Sequence, residues 1–353
     1  MTQVCFYVET PYLSNKIFDL TSSKLNRDGT LYPFNLLKQQ LERSGISIAT
    51  QDIIPPESAD LILCNDMPPS QLFPRIRRDI PLILLLFETA TIKPMNWNLE
   101  FHRYFDRIYT WNDDFIDDVK YFKFQFPQTL PNDVEEISRI PKIKNFVMIA
   151  GNKTSQNELE LYSERLRTIQ WFEDYYPDSF DLFGIGWDMK TFKGPLLIRG
   201  LNRIKPLRKL VAPPRPSFRG SVIDKRTVLK NYKFSICYEN VKNTQGYITE
   251  KIFDCLFSGS IPIYWGPPNA SNWIPEGCYI RREDFSDHQS MYAYASGLSD
   301  KQRATYIESA LNFVNGSAMI PFLASTFAER ISAAVLSELP RTRHRIGHRN
   351  ASS

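Results

Sequence analysis

The sequence predicts an α/β protein: two Rossmann-like domains, each a parallel sheet with helices, facing each other across a cleft. Three observations lead there. The 353 residues exceed what one hydrophobic core usually supports, so two domains of roughly 150 residues are expected. Short apolar runs alternate with helical patterns, and the run 81–87 (PLILLLF) is apolar almost throughout, as a strand buried on both faces of a parallel sheet must be. Finally, residues 232–275 read strand, loop, helix, strand, with charge where the helix begins. That is where an α/β domain offers free N–H groups and a partial positive charge to an anion.

Taken in order, 3–8 is the first strand, and Pro33 suits the first turn of a helix carrying Phe34, Leu36, Leu37 and Leu41 that ends near Gly45. Strands follow at 46–49, 60–65, 81–87 and 107–111, with a further one at 123–126. Together they fill an N-terminal domain, 1–127, and the Pro-rich polar segment 128–144 is the linker. The second domain, 145–320, opens with a strand at 145–150 that ends in Gly151-Asn152-Lys153. A helix at 158–175, a strand at 180–183 and the turn Gly184-Ile185-Gly186 come next. A helix at 225–231 leads into the strand 234–238 and the polar loop 239–246. Thr249 then offers a helix N-cap, Glu250 and Lys251 occupy the first turn, and Ile252, Phe253, Leu256 and Phe257 recur at helical spacing. Gly259 is the stop and 261–265 the next strand. Helices at 301–314 and 321–339 follow, the segment 321–353 forming a C-terminal helix and basic tail. The order of the strands within each sheet is left open by pattern alone.

Hydrophobic residues make up 42% and charged residues 23%, a soluble globular composition. No run approaches the roughly 18 apolar residues that span a bilayer, and the first residues lack a signal-peptide pattern, so a cytoplasmic location is expected. Five scattered cysteines suggest buried thiols and neither a disulfide framework nor a C-x-x-C zinc site. The net charge of +4 is mild but unevenly spread. Residues 189–222 hold nine basic side chains (Lys190, Lys193, Arg199, Arg203, Lys205, Arg208, Lys209, Arg215, Arg219) and no acidic one. A second cluster runs from Arg341 to Arg349. Each is either a solvated basic segment or a foothold on anionic lipid, which would place the protein peripherally on the inner face of the membrane, near a lipid-linked acceptor. Nucleic acid is not expected as a partner, because no helix-turn-helix, zinc-finger or RNP-like motif accompanies the charge.

The stretch Tyr238-Glu239-Asn240, Gly246-Tyr247-Ile248-Thr249-Glu250-Lys251 and Ile261-Pro262-Ile263-Tyr264-Trp265-Gly266, with Asp284-Phe285 downstream, closely resembles glycosyltransferase family 10, the α-1,3/1,4-fucosyltransferases. In the first domain the resemblance thins to Phe87-Glu88-Thr89 and Trp111-Asn112. Without the membrane anchor and cysteine pattern of the family's Golgi members, the chain is more similar to the soluble bacterial branch. The family implies a GT-B fold, GDP-β-L-fucose as donor, inversion at the anomeric carbon, and a glycan acceptor such as the N-acetylglucosamine of a lipopolysaccharide side chain.

Such chemistry needs a base, positive charge for the departing diphosphate, and hydrogen bonds for the nucleoside. Glu88, at the carboxyl end of a buried strand, matches by position the family's catalytic carboxylate. Glu9 has the same topological position one turn away and competes with it. Lys251 and Arg167 are expected to meet the diphosphate, with Arg165 an alternative to Arg167. Glu250 suits the ribose diol, Tyr247 packs beside the donor, and Asn240 orients the loop. Glu239 either touches the sugar or fixes the loop. There is no Asp-x-Asp motif and the histidines lack zinc spacing, so no metal or other cofactor is expected and cationic side chains would neutralise the diphosphate. The basic insertion 189–222 is not part of the family signature.

Overall fold

The computed structural model describes residues 2–339 apart from 78, 191, 193 and 194. Six strands form the first sheet: β1 (Thr2–Tyr7), β2 (Ile46–Thr50), β3 (Leu61–Asn65), β4 (Leu82–Leu86), β5 (Arg107–Thr110) and β6 (Tyr121–Lys123). They run parallel in the order β2-β1-β3-β4-β5-β6. The second sheet is also parallel, in the order β11-β10-β9-β7-β8. Its strands are β7 (Lys144–Ile149), β8 (Phe180–Phe183), β9 (Tyr232–Tyr238), β10 (Ile261–Trp265) and β11 (Ile280–Arg281). Strand order reverses between β1 and β3 in one sheet and between β7 and β9 in the other. Ligands in such sheets bind at the carboxyl ends beside the reversal. That places the loop after β9 at the mouth of the second domain and the end of β4 one strand away from the reversal in the first.

Every residue of β4 is buried, as its run of Leu and Ile requires of a strand covered on both faces. Helix α1 (Tyr32–Arg43) covers one face through Phe34, Leu37 and Leu41. Helix α2 (Tyr162–Tyr175) lies against the second sheet, with Ile169 and Phe172 in its core. Helix α3 (Glu250–Leu256) follows the polar loop after β9, the donor loop of the sequence-based expectation. The last described helix, α4 (Ala324–Glu338), does not stay with the second domain. Its stripe of Phe327, Ala328, Ile331 and Val335 joins the core of the first domain beside α1.

Several expected boundaries move for local reasons. The strand expected at 123–126 forms instead at Tyr121–Lys123. The helix expected from 158 begins at Tyr162, because Leu161 N donates to Asn240 O and Glu160 bridges Val241, which holds this segment extended. The linker contains a short helix, Val134–Ser138, and its last residue, Lys144, already belongs to β7 with its ammonium on Asp181 (2.7 Å). A helix at His288–Gly297, begun by an Asp287/Ser290 capping box, went unrecognised in the sequence. The basic cluster 341–349 lies outside the described residues.

The two domains meet at the loop after β5. Asp113 accepts from Asn269 Nδ2 (2.7 Å) and Lys123 Nζ (2.6 Å), while Asn269 Oδ1 accepts from Gly246 N (2.9 Å). Gly246 has φ +77°, and a Cβ there would stand 2.3 Å from Trp111 O. Neither the backbone conformation nor the space suits a side chain. Gly246→Ala should therefore cost about 2 kcal/mol or more, lowering the melting temperature by roughly 5 °C in a thermal scan. An unchanged melting temperature would show that this contact does not join the domains.

Candidate active site

The site grows from the end of β9. Glu239 has no solvent exposure. Its Oε1 accepts from Thr249 N (2.9 Å) and Tyr264 OH (3.0 Å), and its Oε2 from Thr249 Oγ1 (2.8 Å), with Lys251 Nζ 3.1 Å away. Thr249 was expected to cap α3 with its own side chain. It makes no such bond, because its hydroxyl is turned onto Glu239, whose buried carboxylate fastens the start of the helix instead. Of the two roles open to Glu239, the structure gives it the fixing of the loop and helix start.

Lys251 and Glu250 lie in the first turn of α3. Desolvation opposes charge on Lys251, but Glu239 and Glu250 outweigh it and hold the ammonium above the ordinary lysine range. Glu250, whose side chain is about half exposed, stands 3.6 Å from Lys251 Nζ and 3.9 Å from Lys225 Nζ. Burial pushes its carboxyl up, yet the two lysines prevail and bring it down to about 2.

Of the two arginines on α2, Arg165 is the one in the site. It is buried, and its Nη2 donates to Tyr238 O (2.6 Å), Glu239 O (2.8 Å) and Asn240 Oδ1 (3.2 Å), supporting the donor loop from below. Arg167, the preferred phosphate ligand on sequence grounds, lies elsewhere: its side chain is 64% exposed and pairs with Glu164. Residues two apart on a helix point to nearly opposite sides, so both arginines could not have served. Asn240 bonds Tyr247 OH through Nδ2 (3.3 Å). Tyr247, expected beside the donor, is buried with its ring 4.7 Å from Trp111 and 5.7 Å from Phe126, so it wedges the donor loop into the aromatic core of the first domain.

Glu88 follows β4 on the opposite wall. Asp66, in the left-handed conformation at the end of β3, accepts from Phe87 N (2.7 Å), Glu88 N (3.1 Å) and Asn96 Nδ2 (2.7 Å). Asn96 Nδ2 and Trp97 Nε1 both donate to Glu88 O at 3.0 Å. The backbone of residue 88 is thereby held from both sides. Burial first, and then the Asp66 carboxylate, push the Glu88 carboxyl up to about 7, against the pull of Lys251 and Lys153 from the other domain. Beside it, the hydroxyls of Thr89 and Thr91 are buried without a partner among the described residues. Glu9 is different in kind: its side chain is 59% exposed and paired with Lys93 at 3.0 Å.

Sequence reasoning missed Asp66, Tyr162 and Lys153. Asp66 directly follows β3, as Glu88 follows β4 by one residue, and two carboxylates at the ends of adjacent strands are a readable signal. Lys153 stands after β7, where the sequence showed only a strand end. Tyr162 had no signal beyond its place before Arg165. Among the described residues no group of three His, Cys, Asp or Glu side chains could hold a metal ion, and no helix is long and apolar enough to cross a membrane.

Residues 218–308 match the family model "Glycosyltransferase family 10 (fucosyltransferase) C-term". The alpha-(1,3)-fucosyltransferase of Helicobacter pylori is 35% identical over 121 residues, which is 33% of this chain and 25% of that protein. The chain thus spans about a quarter of the length of this curated relative. An alpha1,3-fucosyltransferase crystal structure with GDP-fucose superposes with a TM-score of 0.54 at 15% identity, over 97% of this chain and 91% of the other. An alpha-glucosyltransferase in complex with UDP and DNA superposes with a TM-score of 0.56 at 12% identity, over 96% of this chain and all (100%) of its own. At these identities the likeness is one of fold, and the fold is GT-B.

Glu239→Gln keeps the shape of the buried side chain but removes the nearer of the two carboxylates beside Lys251, leaving Glu250 at 3.6 Å. It should cost about 3 kcal/mol in chemical denaturation. A loss below about 1 kcal/mol would mean that Glu239 does not hold the helix start.

Proposed function

We propose that this protein is a member of glycosyltransferase family 10 that transfers L-fucose from GDP-β-L-fucose, with inversion, to a hydroxyl of a bacterial surface glycan, such as the 3-OH of N-acetylglucosamine in a lipopolysaccharide side chain. The observation that carries this is the pairing across the cleft: a carboxyl raised to about 7, Glu88, stands opposite a cation pinned at a helix start, Lys251. The matched family stretch and the relative from Helicobacter pylori support the choice of donor.

Glu88 accepts the proton of the acceptor hydroxyl as its oxygen attacks the anomeric carbon. The bond from that carbon to the diphosphate breaks with its electron pair on the departing oxygen. Lys251, with the N–H groups at the start of α3, takes up the charge that develops on the GDP. Glu250 accepts from the ribose diol. Arg165 acts from beneath, keeping Asn240 and the backbone of the donor loop in place. Positive charge therefore reaches the diphosphate from side chains, and a reaction without divalent metal or other cofactor is proposed. Since Asp66, Asn96 and Trp97 fasten the backbone of residue 88, the base keeps its aim while its carboxyl stays free to take a proton.

Purified protein should release GDP from GDP-fucose in the presence of an N-acetylglucosamine-containing acceptor, with a rate indifferent to EDTA. Because Glu88 must be ionised to act, kcat/KM should climb as pH rises through about 7 and fall off on the acid side. Glu88→Gln should lower kcat by a factor of about 100 or more. Turnover of GDP-mannose in place of GDP-fucose would replace the donor sugar while keeping the nucleotide site. Wild-type transfer by the Gln variant would remove Glu88 from the chemistry, and absence of transfer by both would favour a binding protein.

The insertion 189–222 supports a place at an anionic surface, where a lipid-linked acceptor would lie. Among its described residues, Arg215 pairs with Glu173, Arg219 with Asp181, and Arg208 donates to Lys190 O. Arg203, Lys205 and Lys209 remain exposed, Lys209 loosely paired with Asp188 at 3.5 Å, and around them stand Leu197, Ile204 and Leu210, respectively 89%, 48% and 83% exposed. Cations beside bare apolar side chains suit a lipid interface. The protein should float with vesicles containing anionic lipid and not with neutral ones. Reversing Arg203, Lys205 and Lys209 to Glu should abolish flotation, and equal flotation of the variant would exclude this surface.

A further inference from the structure

Tyr162 is the first residue of α2, and only 5% of its surface is exposed. Its hydroxyl has no hydrogen-bond partner among the described residues. A buried hydroxyl left in this state costs free energy, and native proteins keep few of them without a use. The ring is held in place by its neighbours. Arg165 Cζ lies 5.0 Å from the ring centroid, and Leu161 N, one residue before, donates to Asn240 O at 3.0 Å. The hydroxyl therefore belongs to the same small group as the donor loop.

Charged groups of both walls act on it. Burial raises the hydroxyl's pKa, while Arg165 and then Lys251 draw it down, and Glu88, from the other domain, pushes it up. The phenol thus lies among the cations of the donor wall, within electrostatic reach of the opposite carboxylate. Of the other unpartnered buried groups, Ser138 packs against Gly259, and Thr89 and Thr91 follow Glu88 on the far wall.

We propose that Tyr162 is a donor-contact residue whose hydroxyl donates a hydrogen bond to a phosphate oxygen of the bound nucleoside diphosphate. This rests on the GDP-sugar reading of the site and adds a ligand to it. A neutral donor beside the Arg165 cation suits an anionic oxygen, and the described residues offer the hydroxyl no acceptor. The ring already stacked on Arg165 needs no reordering when the nucleotide arrives, so the contact is preorganised.

The test is Tyr162→Phe, which keeps the ring and its stacking and removes only the oxygen. GDP and guanosine binding are measured by titration calorimetry on wild type and variant, together with the melting temperature without nucleotide. The variant should bind GDP about tenfold more weakly, since a hydrogen bond to a charged group is lost, and guanosine as the wild type does. Its melting temperature without nucleotide should be unchanged or higher, because no bond is lost in the free protein. Equal GDP affinity in the two proteins would overturn the proposal, as would a lowered melting temperature with GDP and guanosine weakened alike, which would mark the hydroxyl as part of the fold. If the wild type itself does not bind GDP, it is the donor reading that fails, and the proposal with it.

Discussion

One buried carboxylate organises the second domain around the loop after β9. Glu239, shut off from solvent, takes in the backbone and hydroxyl of Thr249, the phenol of Tyr264 and the ammonium of Lys251. A charge in such a place is tolerable only when it is paired and its lone pairs are used. Meeting that requirement ties the end of β9, the start of α3 and the neighbouring β10 together at one point. Lys251 then stands charged at a helix start, where it adds to the field of free N–H groups. The cost of burying one negative charge and the placement of one positive charge are thus settled by the same set of contacts.

A comparable arrangement supports the other wall. Asp66 is buried and bonded to the N–H groups of Phe87 and Glu88, and its charge, second to burial, lifts the neighbouring carboxyl. The two walls differ in what their buried carboxylates do. Glu239 attracts a cation and keeps it charged, whereas Asp66 repels a second carboxylate and makes it easier to protonate. A carboxyl that protonates readily on one wall and an ammonium that stays charged on the other follow from these two environments.

The domains are not independent of one another in this structure. Tyr247, inside the donor loop, packs on Trp111 and Phe126, and Asp113 reaches Asn269 from the opposite side. Helix α4 returns to the first domain and shares its core with α1. The donor loop is therefore positioned partly by the domain that carries Glu88, which couples the two walls without any ligand present.

Much of this was legible in the sequence. The fully apolar run of β4, the alternation of strands with helices and the charge at the start of α3 follow from side-chain chemistry repeated at fixed spacing, so fold class, two domains and the locations of Glu88, Glu250 and Lys251 could be read directly. Contacts between segments distant in sequence could not. Arg165 and Arg167 are equivalent by composition, and only the face of α2 that meets the donor loop separates them. Thr249 looks like a cap until Glu239 arrives from the end of another strand, and nothing near Tyr247 in sequence tells that its ring packs on Trp111 of the first domain. The return of α4 and the clamp of Asp66 on residue 88 depend likewise on which surfaces meet. Local pattern is governed by the periodicity of the backbone and is written along the chain, whereas pairing across the fold is governed by which groups must satisfy each other's charges and hydrogen bonds once water is gone, and that was decided by the tertiary structure.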